Sequence, residues 1–599
     1  MIRVADYIAE TLVAHGIRDV FLVTGGAAMH LNDAIGRAEG LSYVCCHHEQ
    51  ACAMAAASYY RLTNRLAAVN VTAGPGGTNA ITGVFGAWTE SLGMIVISGQ
   101  VKFETTVRST NLPLRQLGDQ EVDITQLVAP ITKYAVMVTD PNSVRHHLEK
   151  AIYLATEGRP GPVWLDIPMN VQGAMIDPAA LTGFTPEPRR EVSLDREAGE
   201  ILQRLAQSER PVIFAGSGIR LGRAEQAFLD LVDRWRIPVV TGFNAHDLLW
   251  AEHPCNIGRQ GTIGDRAGNF AVQNADFLLV LGSRLTIRQI SYNWESFARQ
   301  AYKVIVDIDD AELRKPTIHA DLALRADAAD LLQALRRQPE PKRSAKHEEW
   351  LRWCQERKAR YPVVLPEFAD DARGVNPYVF AKALFEQLPD DAIVVTGDGT
   401  ACVTTFQAAA LKRGQRLYSD GGCAPMGFDL PAAIGACVGS GRRRVVCLAG
   451  DGSIQMNIQE LQTIATNAMP ISIFVLNNNG YLSIRQTQKS YFPDNPIGCD
   501  PASGVGIPNF SAIAAAYGFG YRAIRTHAEI AVSIGEAVES KGPQMCEVFL
   551  NPEQGFSPRS ASRKLPDGRM ITTPLEDMYP FLDREELEEN MIIPTTKLS

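Results

Sequence analysis

Short apolar runs alternate with longer amphipathic segments over most of this chain. The runs at residues 20–23, 67–71 and 94–98 are each followed by glycine, and helical periodicity separates them. This βαβ pattern is typical of a doubly wound parallel sheet that is covered by helices on both faces. The pattern begins again at residue 211 and at about residue 376. The sequence therefore predicts an α/β protein with three doubly wound parallel-sheet domains.

Proline-rich and charged stretches mark the predicted domain boundaries. Prolines punctuate residues 185–189, and charged residues with a proline fill residues 338–346. Such segments are typical of linkers. We predict four parts of the chain, which are an N-terminal domain (1–175), a central domain (190–337), a C-terminal domain (373–550) and a tail (551–599). The tail could form a lid over an active site.

Composition and charge narrow the class of protein. Of 599 residues, 46% are hydrophobic and 21% are charged, as expected of a globular protein with a full core. The net charge of −9 is spread along the chain, which argues against a nucleic-acid-binding surface. The N-terminus begins an amphipathic helix rather than an apolar signal core, and the apolar runs are too short to span a bilayer. We expect a cytoplasmic protein with no nucleic-acid or membrane partner.

The eleven cysteines predict reduced thiols. Their number is odd, and most lie in apolar stretches, so a disulfide framework is not indicated. The run Cys45-Cys46-His47-His48 raises the question of zinc. Adjacent residues on a strand point to opposite sides and cannot converge on one tetrahedral ion, so zinc is not favoured.

Two polar clusters follow neighbouring predicted strands in the C-terminal domain. The run 445–449 ends at Gly450-Asp451-Gly452-Ser453, and the run 471–476 ends at Asn477-Asn478. Open α/β sheets bind ligands at the carboxyl ends of their strands. Asp451, Asn478 and the Gly480 carbonyl offer hard oxygens for Mg²⁺, with diphosphate oxygens and water completing the shell. Gly452 and Ser453 would present N–H groups to phosphate at a helix start. Either cluster alone could be an ordinary turn, but the pair favours a metal–diphosphate site.

Many segments together resemble the acetolactate synthase group of thiamine-diphosphate enzymes, from Asp6 to about Leu550. The resemblance implies a pyrimidine-binding, a central and a diphosphate-binding domain, with thiamine diphosphate and Mg²⁺ as cofactors. The matching segments are His48-Glu49-Gln50, residues 72–79, Ile97-Ser98-Gly99-Gln100, Gln120-Glu121-Val122-Asp123-Ile124, residues 158–162, Met426-Gly427-Phe428-Asp429-Leu430-Pro431, Gly450-Asp451-Gly452-Ser453 and Asn477-Asn478.

The resemblance assigns two catalytic residues, Glu49 and Gln120. Glu49 would contact N1′ of the cofactor's aminopyrimidine ring. A buried carboxylate that shares a proton with N1′ helps the neighbouring N4′ to remove the thiazolium C2 proton. Gln120 could orient the donor substrate or donate to a developing alkoxide. The alternatives are that Glu49 only begins a surface helix and that Gln120 is an ordinary polar loop residue.

Further cofactor contacts are implied by the same resemblance. Met426 would hold the cofactor bent, and the Ala424 carbonyl would receive N4′; alternatively, Met426 is a core methionine. In the family the carboxylate and the metal ligands come from different subunits. A homodimer would then be the minimum active unit, and dimers could pair into a homotetramer. The positions implied to contact thiamine diphosphate are Glu49, Thr72, Gly74, Asn79, Thr400, Ala401, Ala424, Met426, Gly452, Ser453 and Tyr481.

The central domain carries part of a nucleotide-binding pattern. Gly216-Ser217-Gly218 is an incomplete dinucleotide fingerprint. Other positions match those that hold a structural FAD in acetolactate synthases, although Thr286-Ile287-Arg288 replaces the family's Asp-Asp-Arg. We favour FAD, with ADP or an empty domain as alternatives. The implied positions are Gly216, Gly218, Gly261, Thr262, Arg284, Asp307, Ile308, Glu312 and Asp327.

The positions implied to form the acceptor pocket depart from the family. Asp119, Arg259 and Thr487 stand where acetolactate synthases carry Phe, Met and Trp, whereas Arg288 and Lys133 match. A wider, polar pocket suits a larger, hydroxyl-rich acceptor, because buried polar groups need partners. We predict decarboxylation of a 2-oxo acid, with pyruvate favoured, and acyl transfer to a polar carbonyl compound such as a keto-sugar.

Other reactions remain open. The changes could merely adjust an ordinary acetolactate synthase. The lost Asp-Asp-Arg motif keeps a 2-hydroxyacyl-CoA lyase or oxalyl-CoA decarboxylase type in consideration. Glyoxylate carboligases lack the activating carboxylate, so Glu49 argues against them. A pyruvate oxidase would need a redox-active flavin. A non-catalytic regulatory homologue is disfavoured by the intact Glu49, Asp451 and Asn478.

Overall fold

A computed structural model of the protein describes residues 1–188, 193–341, 344–564 and 569–596. It contains three six-stranded sheets in which all strand pairs are parallel. Central strands such as Met94–Gln100 are buried at every residue, because helices cover both faces of each sheet. The prediction of three doubly wound parallel-sheet domains is therefore confirmed. The predicted start of the central domain at residue 190 lies outside the described residues.

The first sheet has the strand order β3-β2-β4-β5-β7-β6, and a short antiparallel pair, β1 with β8, lies beside it. Its strands are β1 (Ile2–Arg3), β2 (Asp19–Leu22), β3 (Ser42–Cys45), β4 (Ala68–Val71), β5 (Met94–Gln100), β6 (Tyr134–Met137), β7 (Pro162–Pro168) and β8 (Met175–Ile176). Its helices are α1 (Val4–Ala14), α2 (Met29–Arg37), α3 (Glu49–Thr63), α4 (Pro75–Thr89), α5 (Ile124–Val128), α6 (Val144–Thr156) and α7 (Met169–Gln172).

The second sheet has the order β11-β10-β9-β12-β13-β14 and has its own hydrophobic core. Its strands are β9 (Pro211–Ala215), β10 (Val239–Thr241), β11 (Asn256–Arg259), β12 (Phe277–Leu281), β13 (Tyr302–Asp307) and β14 (Leu322–Arg325). Its helices are α8 (Asp195–Gln207), α9 (Gly218–Leu221), α10 (Glu225–Trp235), α11 (Arg266–Asn274), α12 (Ile287–Ile290), α13 (Asp310–Leu313), α14 (Ala328–Arg337) and α15 (Ala345–Arg360).

The third sheet has the order β16-β15-β17-β18-β20-β19, and a short hairpin follows it in the tail. Its strands are β15 (Ile393–Thr396), β16 (Arg416–Tyr418), β17 (Val445–Gly450), β18 (Ile471–Asn477), β19 (Gly520–Ile524) and β20 (Gln544–Phe549), and the hairpin is β21 (Ser562–Lys564) with β22 (Met570–Thr572). The helices are α16 (Pro377–Gln387), α17 (Thr400–Ala408), α18 (Asp429–Gly439), α19 (Glu460–Thr466), α20 (Leu482–Tyr491), α21 (Phe510–Tyr517), α22 (His527–Glu539) and α23 (Arg584–Glu589).

The first and third domains share one hydrophobic core through helices α3 and α18. Both helices are rich in alanine, and α18 also contains glycine, so their backbones approach closely. Ser58 Oγ on α3 donates to the Ala432 carbonyl on α18 at 2.7 Å, and the pair is buried. A β-carbon placed on Gly435 would lie 2.0 Å from the Ala55 carbonyl oxygen. The small side chains therefore fix how the two domains pack.

Replacing Gly435 with alanine is expected to lower the free energy of unfolding by about 1–3 kcal/mol, because the backbone of α3 must move to admit the methyl group. The matched control is Gly535→Ala on helix α22, where no atom lies within 4 Å of the added carbon. That variant should gain about 0.4–1 kcal/mol from reduced chain entropy. Urea unfolding of both variants checks the expectation, and equal effects would contradict the packing argument.

The described tail packs on the central domain. Leu575 belongs to the central core, and buried Glu576 accepts a hydrogen bond from Gln273 Nε2 at 2.6 Å and pairs with Arg299 at 3.0 Å. Asn274 Nδ2 donates to the Asn590 carbonyl at 2.9 Å. This part of the tail is therefore held to the central domain by buried hydrogen bonds and an ion pair, and a role of the tail as a lid stays a prediction.

Other sequence expectations concern cysteines and membrane spans. All eleven cysteines are free thiols in the described structure, and only Cys45 is exposed. The predicted alternation of side chains along the strand is also seen, because Cys45 is exposed and Cys46 is buried. Within the described ranges, no helix combines the length and apolarity that a membrane span requires.

Candidate active site

In each of the three sheets, successive strands are added first on one side and then on the other side of an early strand. This change of direction opens a crevice at the carboxyl ends of the strands. In the third sheet β15 lies between β16 and β17, and in the second sheet β9 lies between β10 and β12. In the first sheet the reversal occurs at β2, which lies between β3 and β4. Ligands of doubly wound sheets bind at such positions. The predicted site residues are therefore expected to lie at these three crevices.

Glu49 lies at the carboxyl edge of the first sheet, as the first residue of α3. The turn from β3 is closed by His48, whose side chain accepts a hydrogen bond from the Gln50 N–H at 3.1 Å. Glu49 is only 9% exposed, and Asn79 Nδ2 donates to its Oε2 at 3.0 Å. A β-carbon on Gly76 would lie 2.8 Å from Thr72 Cγ2 and 3.6 Å from Glu49 Oε1. Glu49, Thr72 and Asn79 are thus together, and Glu49 is not a surface helix residue.

Gln120 and Gly74 meet at the same edge. Gly74 has φ +60°, and a β-carbon there would lie 2.1 Å from the Gln120 carbonyl oxygen. Only glycine permits this contact between the loop and the start of α4. Gln120 itself has φ +59°, and its side chain is exposed, as is that of Asp119. The structure therefore places Gln120 beside the Glu49 crevice, with its amide free of hydrogen bonds to described residues.

The predicted metal ligands converge at the carboxyl ends of β17 and β18. These strands pair in register from Val445 with Ile471 to Gly450 with Leu476, so Asp451 and Asn478 become neighbours. The Asp451 carboxylate accepts hydrogen bonds from the N–H groups of Gly452 at 2.8 Å and Gly480 at 2.9 Å. Burial raises the pKa of Asp451 to about 6. A cation would offset this cost of desolvation.

The amide of Asn478 supplies the observation that fits a metal. Its Nδ2 donates to Thr400 Oγ1 at 3.0 Å, which fixes the amide orientation. Its Oδ1 is buried and has no hydrogen-bond partner in the described structure. An orphaned buried oxygen is costly unless a ligand satisfies it. With Asp451 and the Gly480 carbonyl it forms an oxygen donor set suited to Mg²⁺. The described residues hold no cluster of three His, Cys, Asp or Glu side chains that could bind another metal.

The predicted diphosphate contacts surround this donor set. Thr400 and Ala401 begin helix α17 at the strand-reversal crevice, and Thr400 touches Asn478 as described. Tyr481 covers Gly452 so closely that a β-carbon on Gly452 would lie 2.0 Å from Tyr481 Cε1. Residues Ser453–Asn457 form a 3-10 turn rather than the predicted start of an α-helix, and α19 begins only at Glu460. The Ser453 hydroxyl donates to Asp429 Oδ2 at 2.7 Å, which leaves its backbone N–H as the phosphate donor.

Ala424 and Met426 lie in the loop before α18. Ala424 has φ +52°, an unusual value for a residue with a β-carbon. Met426 is 38% exposed, so it is not an ordinary core methionine. The Gly427 N–H donates to Ser453 Oγ at 2.9 Å, which ties this loop to the metal turn. The loop therefore presents an exposed thioether and a positioned carbonyl next to the predicted diphosphate site.

A cavity of about 330 Å³ occupies the crevice of the central sheet. A β-carbon on Gly216 would lie 2.2 Å from the Gly282 carbonyl oxygen, so the two turns pack backbone to backbone. The cavity also reaches the first domain through Glu90 and Arg159, and the third through Gly421 and Gly422. Its lining includes six of the nine predicted nucleotide positions, namely Gly216, Gly218, Arg284, Asp307, Ile308 and Asp327.

The other three predicted nucleotide positions lie behind the cavity wall. Thr262 donates from its N–H to the Arg288 carbonyl at 2.7 Å, and Gly261 packs against the same carbonyl. Glu312 accepts a hydrogen bond from Arg159 at 3.1 Å and one from Lys315 at 3.0 Å. These residues support the wall rather than line the cavity. The size and backbone-lined floor of the cavity fit a nucleotide group.

The predicted acceptor residues are not brought together. Asp119 and Thr487 are exposed, and the Thr487 hydroxyl donates within its own helix α20 to the Ser483 carbonyl. Arg288 lines the central cavity. Lys133 precedes β6 at the amino edge of the first sheet, where Nζ donates to the Glu157 and Arg159 carbonyls. Lys133 therefore does not share a pocket with Asp119, because it lies at the opposite edge from Glu49.

The structure places Arg259 between the central and C-terminal domains. Its guanidinium is buried and donates from Nη1 to the Gln407 carbonyl at 2.7 Å and from Nη2 to the Ala409 carbonyl. These carbonyls are at the C-terminal end of α17, whose opposite end carries Thr400. Cations are favourable at helix C-termini, which explains the position. Arg259 thus joins two domains and does not line an acceptor pocket with Asp119.

Several residues of the site were given no role from sequence. Buried Asp429 holds the Ser453 hydroxyl, and burial raises the pKa of Asp429 to about 6. Glu460 Oε1 accepts the His47 N–H at 3.0 Å and so links α19 to the turn before Glu49. Glu90 accepts a hydrogen bond from Arg61 at 2.5 Å at the junction of three domains. Carboxylates are seldom fully buried unless they are paired, so the burial seen in the structure, rather than a sequence signal, identifies these residues.

Comparison with known proteins agrees with this geometry. Residues 2–127, 198–335 and 397–548 match the N-terminal TPP binding, central and C-terminal TPP binding domains of thiamine pyrophosphate enzymes. The chain is 31% identical to the acetolactate synthase isozyme 1 large subunit of Escherichia coli (strain K12), covering 92% of this chain and 95% of the relative.

Two further relatives extend the comparison. The acetolactate synthase large subunit of Lactococcus lactis subsp. lactis (strain IL1403) is 30% identical, over 92% of this chain and 93% of its own. Acetolactate synthase 2, chloroplastic, of Zea mays is 31% identical, over 92% and 86%. The resemblance predicted from the motifs is confirmed. The chain therefore belongs to the family of thiamine-pyrophosphate-dependent enzymes and resembles the acetolactate synthase large subunits along nearly all of its length.

Proposed function

We propose that this enzyme uses thiamine diphosphate and Mg²⁺ to decarboxylate a 2-oxo acid, with pyruvate as the favoured donor. The resulting acyl unit is transferred to a carbonyl acceptor that is larger and more polar than pyruvate, such as a keto-sugar. The observation that carries the proposal is the buried carboxylate of Glu49 at the edge of a TPP-binding domain, held by Asn79. Relatives named acetolactate synthases support the same class of carbon–carbon bond formation.

The role of Glu49 follows from its surroundings. When bound, thiamine diphosphate supplies a carbon nucleophile and an electron sink for decarboxylation. Glu49 would hold a proton at the aminopyrimidine N1′, and the Asn79 amide keeps the carboxylate pointed into the crevice. The Ala424 carbonyl and the Met426 side chain would position the cofactor. Gln120, exposed at the same edge, would donate to the oxygen of the reacting carbonyl group.

The metal site would anchor the diphosphate. Asp451, the free Oδ1 of Asn478 and the Gly480 carbonyl would bind Mg²⁺, whose charge would help to hold the diphosphate. The N–H groups of Gly452 and Ser453 would donate to the same phosphates. These residues act by binding and orientation, so their loss should affect cofactor affinity first.

The acceptor assignment is supported by exposed polar residues at the carboxyl edges. Asp119 and Thr487 stand where the family carries aromatic side chains, and both are open to solvent in this chain. A hydroxyl-bearing acceptor can form hydrogen bonds with such groups in place of water, whereas a small 2-oxo acid offers fewer groups for them. The second candidate is an ordinary acetolactate synthase, which the 30–31% identity over 92% of the chain favours.

Two accompanying proposals concern FAD and subunits. The cavity of about 330 Å³ would hold FAD, with ADP as the alternative, and the released nucleotide can be identified by mass after denaturation.

A homodimer, with dimers pairing into a tetramer, is supported by exposed apolar side chains of the first domain, namely Phe85, Leu112, Leu114 and Leu117. Analytical ultracentrifugation checks this, and a monomer at micromolar concentration would contradict it.

Product analysis distinguishes the two candidate reactions. The enzyme is incubated with pyruvate, thiamine diphosphate and Mg²⁺, with and without a hydroxylated ketone. The masses of the products are then measured by mass spectrometry. We expect CO₂ release to accelerate with the ketone and the product to be the ketone plus an acetyl unit. Acetolactate as the main product, formed at about one turnover per second or faster whether or not the ketone is present, would instead establish the ordinary synthase.

A further inference from the structure

A second cavity, of about 280 Å³, lies between the central and C-terminal domains. Thr241 and Gly258 line it from the central sheet, residues 407–411 line it after helix α17, and residues 361–364 close a third side. It shares no lining residue with the cavity of the predicted nucleotide site. The predicted contacts of thiamine diphosphate and Mg²⁺ are also absent from its lining. The cavity is therefore separate from both predicted cofactor sites.

Two cationic side chains, those of Arg259 and Lys358, line this cavity, and both are partly buried. Arg259 donates to the Gln407 and Ala409 carbonyls, and its Nε is buried with no hydrogen-bond partner in the described structure. Lys358 Nζ donates to the carbonyls of Ala251 at 2.8 Å and Asn256 at 2.7 Å. Neither cation forms an ion pair with a described residue. Backbone carbonyls and the charge of Asp265, which lines the same cavity, both help to offset these positive charges.

The single carboxylate in the lining does not neutralise these charges. Asp265 accepts the backbone N–H groups of Arg259 at 2.8 Å and Gly268 at 2.7 Å, so its oxygens are turned toward the backbone. Burial lowers the pKa of Arg259 and of Lys358, although the charge of the Asp265 carboxylate acts in the opposite direction. One carboxylate against two cations leaves an excess of positive charge in the lining, which a bound anion would reduce.

The rest of the lining is largely apolar. Lys382, whose side chain is half exposed, marks where the cavity meets solvent. Its volume is near the lower end of ligand pockets, which measure about 300–1,000 Å³. A small molecule with one anionic group and a short hydrocarbon part matches this combination. The apolar lining residues are Leu249, Ala251, Ala267, Pro362, Val363, Val364, Ala408, Ala409, Ala410 and Leu411.

We propose that this cavity is a binding site for a small organic anion. Its carboxylate or phosphate group would contact Arg259 and Lys358, and its hydrocarbon part would pack against Val363 and Val364. The site does not depend on the reaction proposed above. Binding is measured without substrate turnover, so failure of one proposal does not entail failure of the other.

Calorimetric titration of the holoenzyme, loaded with thiamine diphosphate and Mg²⁺, tests the proposal. The two probes are isobutyrate and inorganic phosphate, each at constant ionic strength against chloride, and they distinguish carboxylate from phosphate ligands. We expect saturable binding of at least one probe. Lys358→Met removes a cation, and Val364→Trp fills the cavity without changing its charge. Each variant should weaken binding at least tenfold.

Lys303→Met is the matched control. Lys303 is also half-buried and also donates to two backbone carbonyls, those of Ala298 and Ala301, but it does not line the cavity. Its loss should leave probe binding unchanged. The proposal is overturned if neither probe binds saturably to the holoenzyme. Undiminished binding in Val364→Trp would overturn it too, because the anion would then occupy another site, and so would an equal loss in Lys303→Met.

Discussion

Replacing Glu49 with glutamine is expected to lower the rate of acyl transfer by about 10²- to 10⁴-fold, the range typical of a lost general acid–base group. The buried carboxylate is the group that would exchange a proton with the cofactor ring. Glutamine keeps the size of the side chain, and its carbonyl oxygen can still accept the Asn79 hydrogen bond. The fold and the affinity for thiamine diphosphate should therefore change little. Initial rates of CO₂ release from pyruvate measure the effect.

The control for this prediction moves the carboxylate by one residue. Gln50 follows Glu49 in the first turn of α3 and is half-buried. The double variant Glu49→Gln with Gln50→Glu keeps the net charge and the helix but displaces the acid by about 100° around the helix axis. It should be as inactive as Glu49→Gln. Activity within a factor of ten of the unmodified enzyme in either variant would remove Glu49 from the proposed role.

Replacing Asp451 with asparagine is expected to weaken Mg²⁺ binding by more than about 100-fold, which is the upper end of losses caused by changing an outer-shell partner. The substitution removes the only charged ligand in the proposed donor set. In the variant, the amide NH₂ would also face one of the two backbone N–H groups, of Gly452 or Gly480, that donate to the carboxylate in the unmodified enzyme. The affinity for thiamine diphosphate should fall together with the affinity for Mg²⁺. Calorimetric titration with Mg²⁺ in the presence of the cofactor measures both.

The comparison for Asp451 is a carboxylate of the same domain outside the site. Asp494 is exposed in the loop after α20, so Asp494→Asn changes the net charge equally. It should leave Mg²⁺ binding unchanged. Circular dichroism shows whether each variant is folded. If folded Asp451→Asn binds Mg²⁺ within threefold of the unmodified enzyme, the metal lies elsewhere.

The sequence predicted the sheets and the metal turn because local signals determine them. The apolar run at 471–476 becomes strand Ile471–Asn477, and the run at 445–449 becomes Val445–Gly450. Strands buried on both faces are continuous apolar runs, which are easy to recognise. Once two such strands pair in parallel, their carboxyl ends are adjacent. The neighbourhood of Asp451 and Asn478 follows from that pairing alone.

Long-range contacts account for what the sequence did not predict. The direction of the Arg259 side chain depends on the end of helix α17, which lies about 150 residues further along the chain. The anchoring of Glu576 depends on Gln273 and Arg299, which are equally remote. Motif matching locates a residue in a turn but does not say toward which domain the side chain points. The roles of the predicted cofactor and acceptor positions therefore stay predictions, although Asp451 and Asn478 are neighbours in the structure.

The most direct test of the central claim is CO₂ release from pyruvate by the purified enzyme, before and after removal of thiamine diphosphate and Mg²⁺. The account predicts release that requires both cofactors, returns when both are restored, and is accompanied by an acyl-transfer product. No release from pyruvate or any other 2-oxo acid, with both cofactors bound, would contradict the account.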